Sequence, residues 1–182
     1  MPVQSTHNEI SCAPAVSLPD LEGVTQSLAQ LSGGAISVVF FSCNHCPYVQ
    51  WIEQKVGRLA HELSSVSWIA ICSNDTNNYP EDDVAGLLDQ RDRAQWNFPY
   101  LIDSDQNVAH QFGAVCTPDF FVFAPDSTLI YRGAFDSSRP NSDIVINGEY
   151  LRAAVECADQ GTTFTGGAPS LGCGIKWSEL GG

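Results

Sequence analysis

The run Ala35-Ile36-Ser37-Val38-Val39-Phe40-Phe41 constrains this chain more than any other feature, because it ends at Cys43 and passes directly into a helical pattern that begins at Pro47. Its β-branched and aromatic residues show almost no polar alternation and follow Gly33-Gly34. That is the pattern of a central strand covered on both faces. From Pro47 onward Val49, Ile52, Val56, Leu59 and Leu63 recur every three or four residues, tracing one helical face, and Pro47 is tolerated in the first turn. A strand buried on both sides needs helices on both sides, so the chain is read as α/β with a mixed central sheet and helices on both faces.

The remaining pattern supplies the other elements. Val66 to Ser73 reads as a second buried strand, and Pro80 with Glu81, Asp82 and Asp83 marks a helix start, with Val84, Leu87 and Leu88 facing the core. Arg91 and Arg93 complement that helix's dipole. Phe98 to Ile102 is a short strand, and Val108 to Phe112 a short helix closed by Gly113. Asp119 to Phe123 and Thr128 to Arg132 form a hairpin around Ala124-Pro125-Asp126-Ser127. Asn147 caps a last helix carrying Leu151, Val155 and Ala158 and stopped by Gly161. Residues 1–17 form an N-terminal extension. A hairpin or loop at Leu18-Pro19-Asp20-Leu21-Glu22-Gly23 opens a domain over 18–165, and the glycine-rich 166–182 is expected to be an irregular tail packed on it.

Length and charge narrow the function. A chain of 182 residues fits one domain. Its formal charge is −13, with Lys55 and Lys176 as the lysines, so nucleic acid and anionic membranes are repelled and neither is expected as a partner. No Lys or Arg precedes Lys55 to form a secretory n-region, and no apolar run approaches the roughly 18 residues of a membrane span. The expected location is cytoplasmic. Seven cysteines in a reducing compartment do not suggest structural disulfides, and Cys72 and Cys157 read as small buried hydrophobes.

Chemistry concentrates at Cys43-Asn44-His45-Cys46-Pro47, where strand hands over to helix. A two-residue spacer lets the thiols close a small disulfide, and the helix N-terminus stabilises a thiolate below its usual pKa of about 8.5. His45 adds a charge that tunes the thiols, or is simply a solvated helix-start residue. Half of a zinc site is the other reading of the spacing, completed by Cys116, Cys173 or His45. No second Cys-x-x-Cys exists, and the redox reading with no metal and no cofactor is preferred.

A Cys-x-x-Cys at a strand–helix junction, followed by Cys116-Thr117-Pro118 opening a hairpin, resembles the thioredoxin fold. The resemblance implies that Pro118 is cis, faces the cysteine pair and leaves the backbone before it free to pair with an extended substrate. Phe41-Ser42-Cys43-Asn44-His45-Cys46-Pro47-Tyr48-Val49, Asn78-Tyr79-Pro80-Glu81-Asp82, Cys116-Thr117-Pro118-Asp119-Phe120-Phe121 and Gly172-Cys173-Gly174-Ile175-Lys176-Trp177 together resemble a thioredoxin-like, peroxiredoxin-related redoxin group. That group sits near the alkyl hydroperoxide reductase and thiol-specific antioxidant family. The implied fold is a thioredoxin-like sandwich.

Two departures from the relatives matter. Aligning the peroxiredoxin Pro-x-x-x-Thr-x-x-Cys motif on Cys46 puts Val39 at its Pro and Cys43 at its Thr, and Thr117-Pro118 stand where its arginine lies. Fast peroxide cleavage loses its main donors. The buried acid that thioredoxins carry six residues before the first Cys is here Ser37. The resemblance therefore implies a thiol-disulfide oxidoreductase in which an exposed Cys43 attacks and Cys46 resolves, with His45, Pro47, Thr117 and Pro118 shaping or tuning the site. The alternatives are a thiol peroxidase with Cys46 peroxidatic and a metal-binding protein using Cys43, Cys46 and Cys116. Cys116 is a third thiol, a ligand or a pocket wall, and Cys173 an accessory thiol of open role. Tyr48, Trp51 and Trp177 are candidates for an apolar lip. The substrate expected is a protein or small-molecule disulfide, and the electron donor a system such as thioredoxin reductase or another thiol.

Overall fold

A computed structural model of the chain describes residues 1–6 and 10–179; positions 7–9 of the N-terminal extension and 180–182 of the tail lie outside the described residues. In chain order the elements are β1 (Val3–Gln4), β2 (Ser17–Pro19), β3 (Thr25–Ser27), α1 (Leu28–Ser32), β4 (Ser37–Phe41), α2 (Pro47–Glu62), β5 (Ser67–Cys72), a 3-10 turn (Pro80–Asp82), α3 (Val84–Ala94), β6 (Tyr100–Ile102) and α4 (Asn107–Phe112). They continue with β7 (Cys116–Thr117), β8 (Asp119–Phe123), β9 (Leu129–Gly133), α5 (Glu149–Gln160) and β10 (Leu171–Gly174). None of the helices is long and apolar enough to cross a membrane.

The central sheet has the order β6-β5-β4-β8-β9, parallel from β6 to β4 and antiparallel from β4 to β9. Every residue of β4 is buried, and the pleat sends alternate side chains to opposite layers. Val38 and Phe40 join Val49, Ile52 and Val56 of α2, Leu87 of α3 and Leu151 of α5. Val39 and Phe41 join Leu28 of α1 and Val108 and Phe112 of α4. This is the mixed sheet covered on both faces that the strand pattern predicts, in the thioredoxin-like arrangement.

Boundaries shift where side chains have other work. The helix expected from Pro80 begins at Val84, because Asp83 is its N-cap, its Oδ1 accepting from Gly86 N at 2.8 Å, while Asp82 turns away. Val84 is consequently 42% exposed rather than core, whereas Leu87 is buried. Gly148, not Asn147, is the N-cap residue of α5, but Asn147 Oδ1 accepts from Glu149 N at 3.0 Å, while Asp136 Oδ2 accepts the Asn147 and Gly148 amides at 2.7 and 2.8 Å. The hairpin expected after Leu18 is β2–β3, and it runs into a short helix, α1, that the sequence pattern does not reveal.

The glycine-rich tail is irregular only in part. β10 pairs antiparallel with β7 on one side, Cys173 opposite Thr117, and with β1 on the other, Val3 opposite Gly172. The glycines expected to break structure instead allow contact: a Cβ on Gly172 would lie 1.8 Å from Thr117 O. Gly172→Ala should therefore lift β10 off β7. The protection of its amides against hydrogen exchange is expected to fall about tenfold or more, the equivalent of one or two backbone hydrogen bonds at about 0.5–1.5 kcal/mol each. Unchanged protection would mean that Thr117 yields instead.

Candidate active site

Cys43 and Cys46 sit on the loop that carries β4 into α2, with Cys46 at the N-cap and Pro47 in the first turn. The loop is held mainly from across the fold. Asp82, fully buried at the end of the 3-10 turn, accepts at Oδ1 from Asn44 N at 2.7 Å and His45 N at 3.3 Å, and at Oδ2 from Asn74 Nδ2 at 2.8 Å. The same Oδ2 lies 2.6 Å from His45 Nδ1. Gln90 Nε2 donates to Cys43 O at 3.0 Å and Arg93 Nη2 to Asn44 Oδ1 at 2.9 Å. Tyr79 stacks on the His45 ring with centroids 5.6 Å apart and planes at 9°. Asp82 reads in the sequence as an ordinary helix-start acid; only its place in the Asn78-Tyr79-Pro80-Glu81-Asp82 block hinted otherwise.

The peptide bond before Pro118 is cis, and Thr117 faces both thiols. Its Oγ1 is 3.5 Å from Cys43 Sγ, and its carbonyl lies 3.3 Å from Cys46 Sγ, which donates to it when protonated. As a thiolate Cys46 is the better solvated of the two. The S–H of Cys43, then the Thr117 side chain, Cys173 and the Val49 amide all donate to it, outweighing burial and lowering its pKa to about 5 from the usual 9.0. Cys43 is pushed the other way, well above 9.0: it donates to Cys46, it is buried, and the Asp82 carboxylate opposes a second negative charge.

This reverses one expectation. Cys43 was expected to be the exposed attacker, yet both thiols are 0% exposed, and the directions of the two pKa shifts favour charge on Cys46. The main physical reason is the pair itself, the Cys43 thiol donating to Cys46, followed for Cys43 by burial and the nearby Asp82 carboxylate. The backbone beside Pro118, expected to be free for a substrate strand, is paired with β10. Cys173 is half-buried and packs on the cluster that contains Cys43 and Cys46. Burial first, then its hydrogen bond to Cys46, raise its pKa to about 12.

The other candidates separate. Cys116 is fully buried, its thiol held protonated by burial and by the Asp119 charge, as a pocket wall would be. Tyr48, Trp51 and Pro118 line a groove with Phe135 and Leu171. Trp177 is not part of that lip; it stacks on His110 of α4 at 4.4 Å. Among the described residues, ligand-type atoms of Cys43, His45 and Asp82 lie within 4.8 Å of one another, a trio of thiol, imidazole and carboxylate that excludes Cys116. A metal there would compete with the four hydrogen bonds already made to Asp82.

The profile of the AhpC/TSA family matches residues 11–132. A solved structure of an uncharacterized conserved protein from Geobacillus kaustophilus is 37% identical, with a TM-score of 0.93, over 98% of this chain and 97% of that one. A hypothetical protein from Sinorhizobium meliloti is 34% identical, with a TM-score of 0.92, over 97% and 98%. A secreted Mycobacterium tuberculosis disulfide oxidoreductase shares the fold at 18% identity, with a TM-score of 0.62, over 79% and 96%. No curated protein sequence matches significantly.

The electrostatics make a direct forecast. Because the Cys46 pKa is lowered, its thiolate is present above about pH 5 and is lost as pH falls through that value. Absorbance of the reduced protein at 240 nm should show one such step. Cys46→Ser should abolish it, and Cys43→Ala, by deleting the strongest donor, should move it upward; a step only near pH 9 would contradict this assignment.

Proposed function

The chain belongs to the AhpC/TSA family, and on that premise we propose that it is a thiol-disulfide oxidoreductase in which Cys46 attacks and Cys43 resolves. The observation that carries this reading is the asymmetry of the pair: a thiolate at Cys46 with four donors, touching a thiol at Cys43 that faces a carboxylate. In the reductive direction Cys46 S⁻ attacks one sulfur of a substrate disulfide, the S–S bond breaks, and the first substrate sulfur leaves as a thiolate. Cys43 then gives up its proton and attacks Cys46 Sγ. The second substrate thiolate leaves, and the protein holds a Cys43–Cys46 disulfide.

The proton of Cys43 needs an acceptor, since Ser37 occupies the position of the thioredoxin acid. His45 answers that need. Asp82, surrounded by donors, holds His45 Nδ1 at 2.6 Å, in a ring with a nitrogen within 4.8 Å of Cys43 Sγ. The His45 side chain is 26% exposed, which lets the proton pass on to water.

With a small dialkyl disulfide as substrate and dithiothreitol as donor, Cys46→Ser should lose turnover by at least about 10³-fold, and a Cys43→Ser, Cys173→Ser double variant should accumulate a mixed disulfide on Cys46 visible by mass. Undiminished turnover in Cys46→Ser would end the proposal. His45→Gln should leave formation of the mixed disulfide unchanged but slow its resolution about 10²-fold, an effect that shrinks as pH rises.

The same thiolate favours a second reading, a thiol peroxidase with Cys46 peroxidatic, because a low-pKa sulfur at a helix N-terminus is also what peroxide oxidises. Against it stand Val39 and Cys43 where the peroxiredoxin motif has Pro and Thr. Treating Cys43→Ser protein with one equivalent of hydrogen peroxide separates the two: rapid capture of a Cys46 sulfenate by dimedone favours the peroxidase.

A further inference from the structure

Both residues of the pair are 0% exposed, so a substrate disulfide and a reducing thiol alike reach them only when the β10 cover moves aside. Of the sulfurs gathered at this site, Cys43, Cys46 and Cys116 are fully buried, whereas Cys173 is half-buried and reaches solvent. Its position is fixed by pairing. Cys173 stands opposite Thr117 in the β7–β10 ladder, and Thr117 is the residue whose side chain and carbonyl contact Cys43 and Cys46. Gly172, which admits no Cβ against Thr117 O, brings that strand in close. Cys173 therefore packs on the cluster that holds Cys43 and Cys46, and its thiol and that of Cys46 influence one another's ionisation.

We propose that Cys173 is a third redox thiol that carries the disulfide from the buried pair to the surface, through a Cys46–Cys173 disulfide exchanging with Cys43–Cys46. The inference rests on the dithiol reading above and adds to it the route by which an external thiol regenerates the pair. Starting from the Cys43–Cys46 disulfide, Cys173 gives its proton to water and its thiolate attacks Cys46 Sγ. The Cys46–Cys173 bond forms, the Cys43–Cys46 bond breaks, and Cys43 leaves as a thiolate that takes up a proton. An external thiolate then attacks Cys173 Sγ, making a mixed disulfide there and expelling Cys46 as the thiolate that its four donors stabilise. A second external thiolate attacks the external sulfur of that mixed disulfide and releases Cys173. Two external thiols are oxidised to one disulfide, and the buried pair gains two electrons.

The local charges suit this order. In the oxidised pair Cys46 carries no charge, so the hydrogen bond and repulsion from Cys46 that help keep Cys173 protonated are gone, and the Lys176 cation remains to favour its thiolate. Pairing with β1 and β7 holds the strand over the site, so exchange needs rotation of side chains rather than unfolding of the tail.

The test uses full-length protein and two arms. In Cys43→Ser, one equivalent of diamide should produce an intramolecular Cys46–Cys173 disulfide, identified by peptide mass. In Cys173→Ser and Cys173→Ala, the Cys43–Cys46 disulfide should still form with diamide, but its reduction by glutathione should be at least tenfold slower than in the wild type. The inference is overturned if Cys43→Ser protein leaves Cys173 fully alkylatable after oxidation, or if both Cys173 variants are reduced at the wild-type rate. Absence of a Cys43–Cys46 disulfide in oxidised wild type is a different result, which removes the dithiol reading itself.

Discussion

A buried carboxylate costs several kcal/mol unless donors surround it, and Asp82 is surrounded. It takes two amides of the active-site loop, the ring of His45 and the amide of Asn74, so one charge fixes the backbone between the cysteines and the orientation of the imidazole. The same charge raises the pKa of Cys43 and thereby helps decide which sulfur ionises. The site's asymmetry follows from the Cys43 thiol donating to Cys46 together with this placement. Without Asp82 the Cys-x-x-Cys loop would still close sterically, but neither the division of labour between the thiols nor the position of His45 would be specified.

The architecture was legible because it rests on periodicity. The unbroken apolar run of β4, the three-and-four spacing in α2 and the hairpin of β8 and β9 announce themselves, since each buries side chains on faces set by backbone geometry alone. The pair Cys43 and Cys46 and the proline at 118 were legible for the same local reason. Long-range contacts were not. Asp82 lies 36 residues beyond Cys46 in the chain and earns its role by folding back, while Asp136 displaces Asn147 as the group that binds the amides before α5. Which cysteine carries charge depends on such contacts, and the spacing of two thiols cannot encode it.

The tail illustrates how glycine misleads a local reading. Runs of glycine raise the entropic cost of order, which is why 166–174 looked irregular. At Gly172 the missing side chain is what permits order, because only a bare backbone can lie against Thr117. The strand that results occupies the edge where a substrate was expected to pair, so the active site is completed by two elements from opposite ends of the described chain, β1 and β10. The sheet of the fold thus carries here a strand that covers the cysteine pair.

Tyr79 touches both sides of this arrangement. Its ring lies flat against His45, and the ammonium of Lys176, two residues past β10, sits 5.6 Å from its centroid. Any displacement of the strand pulls that cation away and changes the electronic surroundings of the phenol, while the stacked imidazole stays anchored. One aromatic ring therefore bridges the imidazole held by Asp82 and the segment that follows the covering strand.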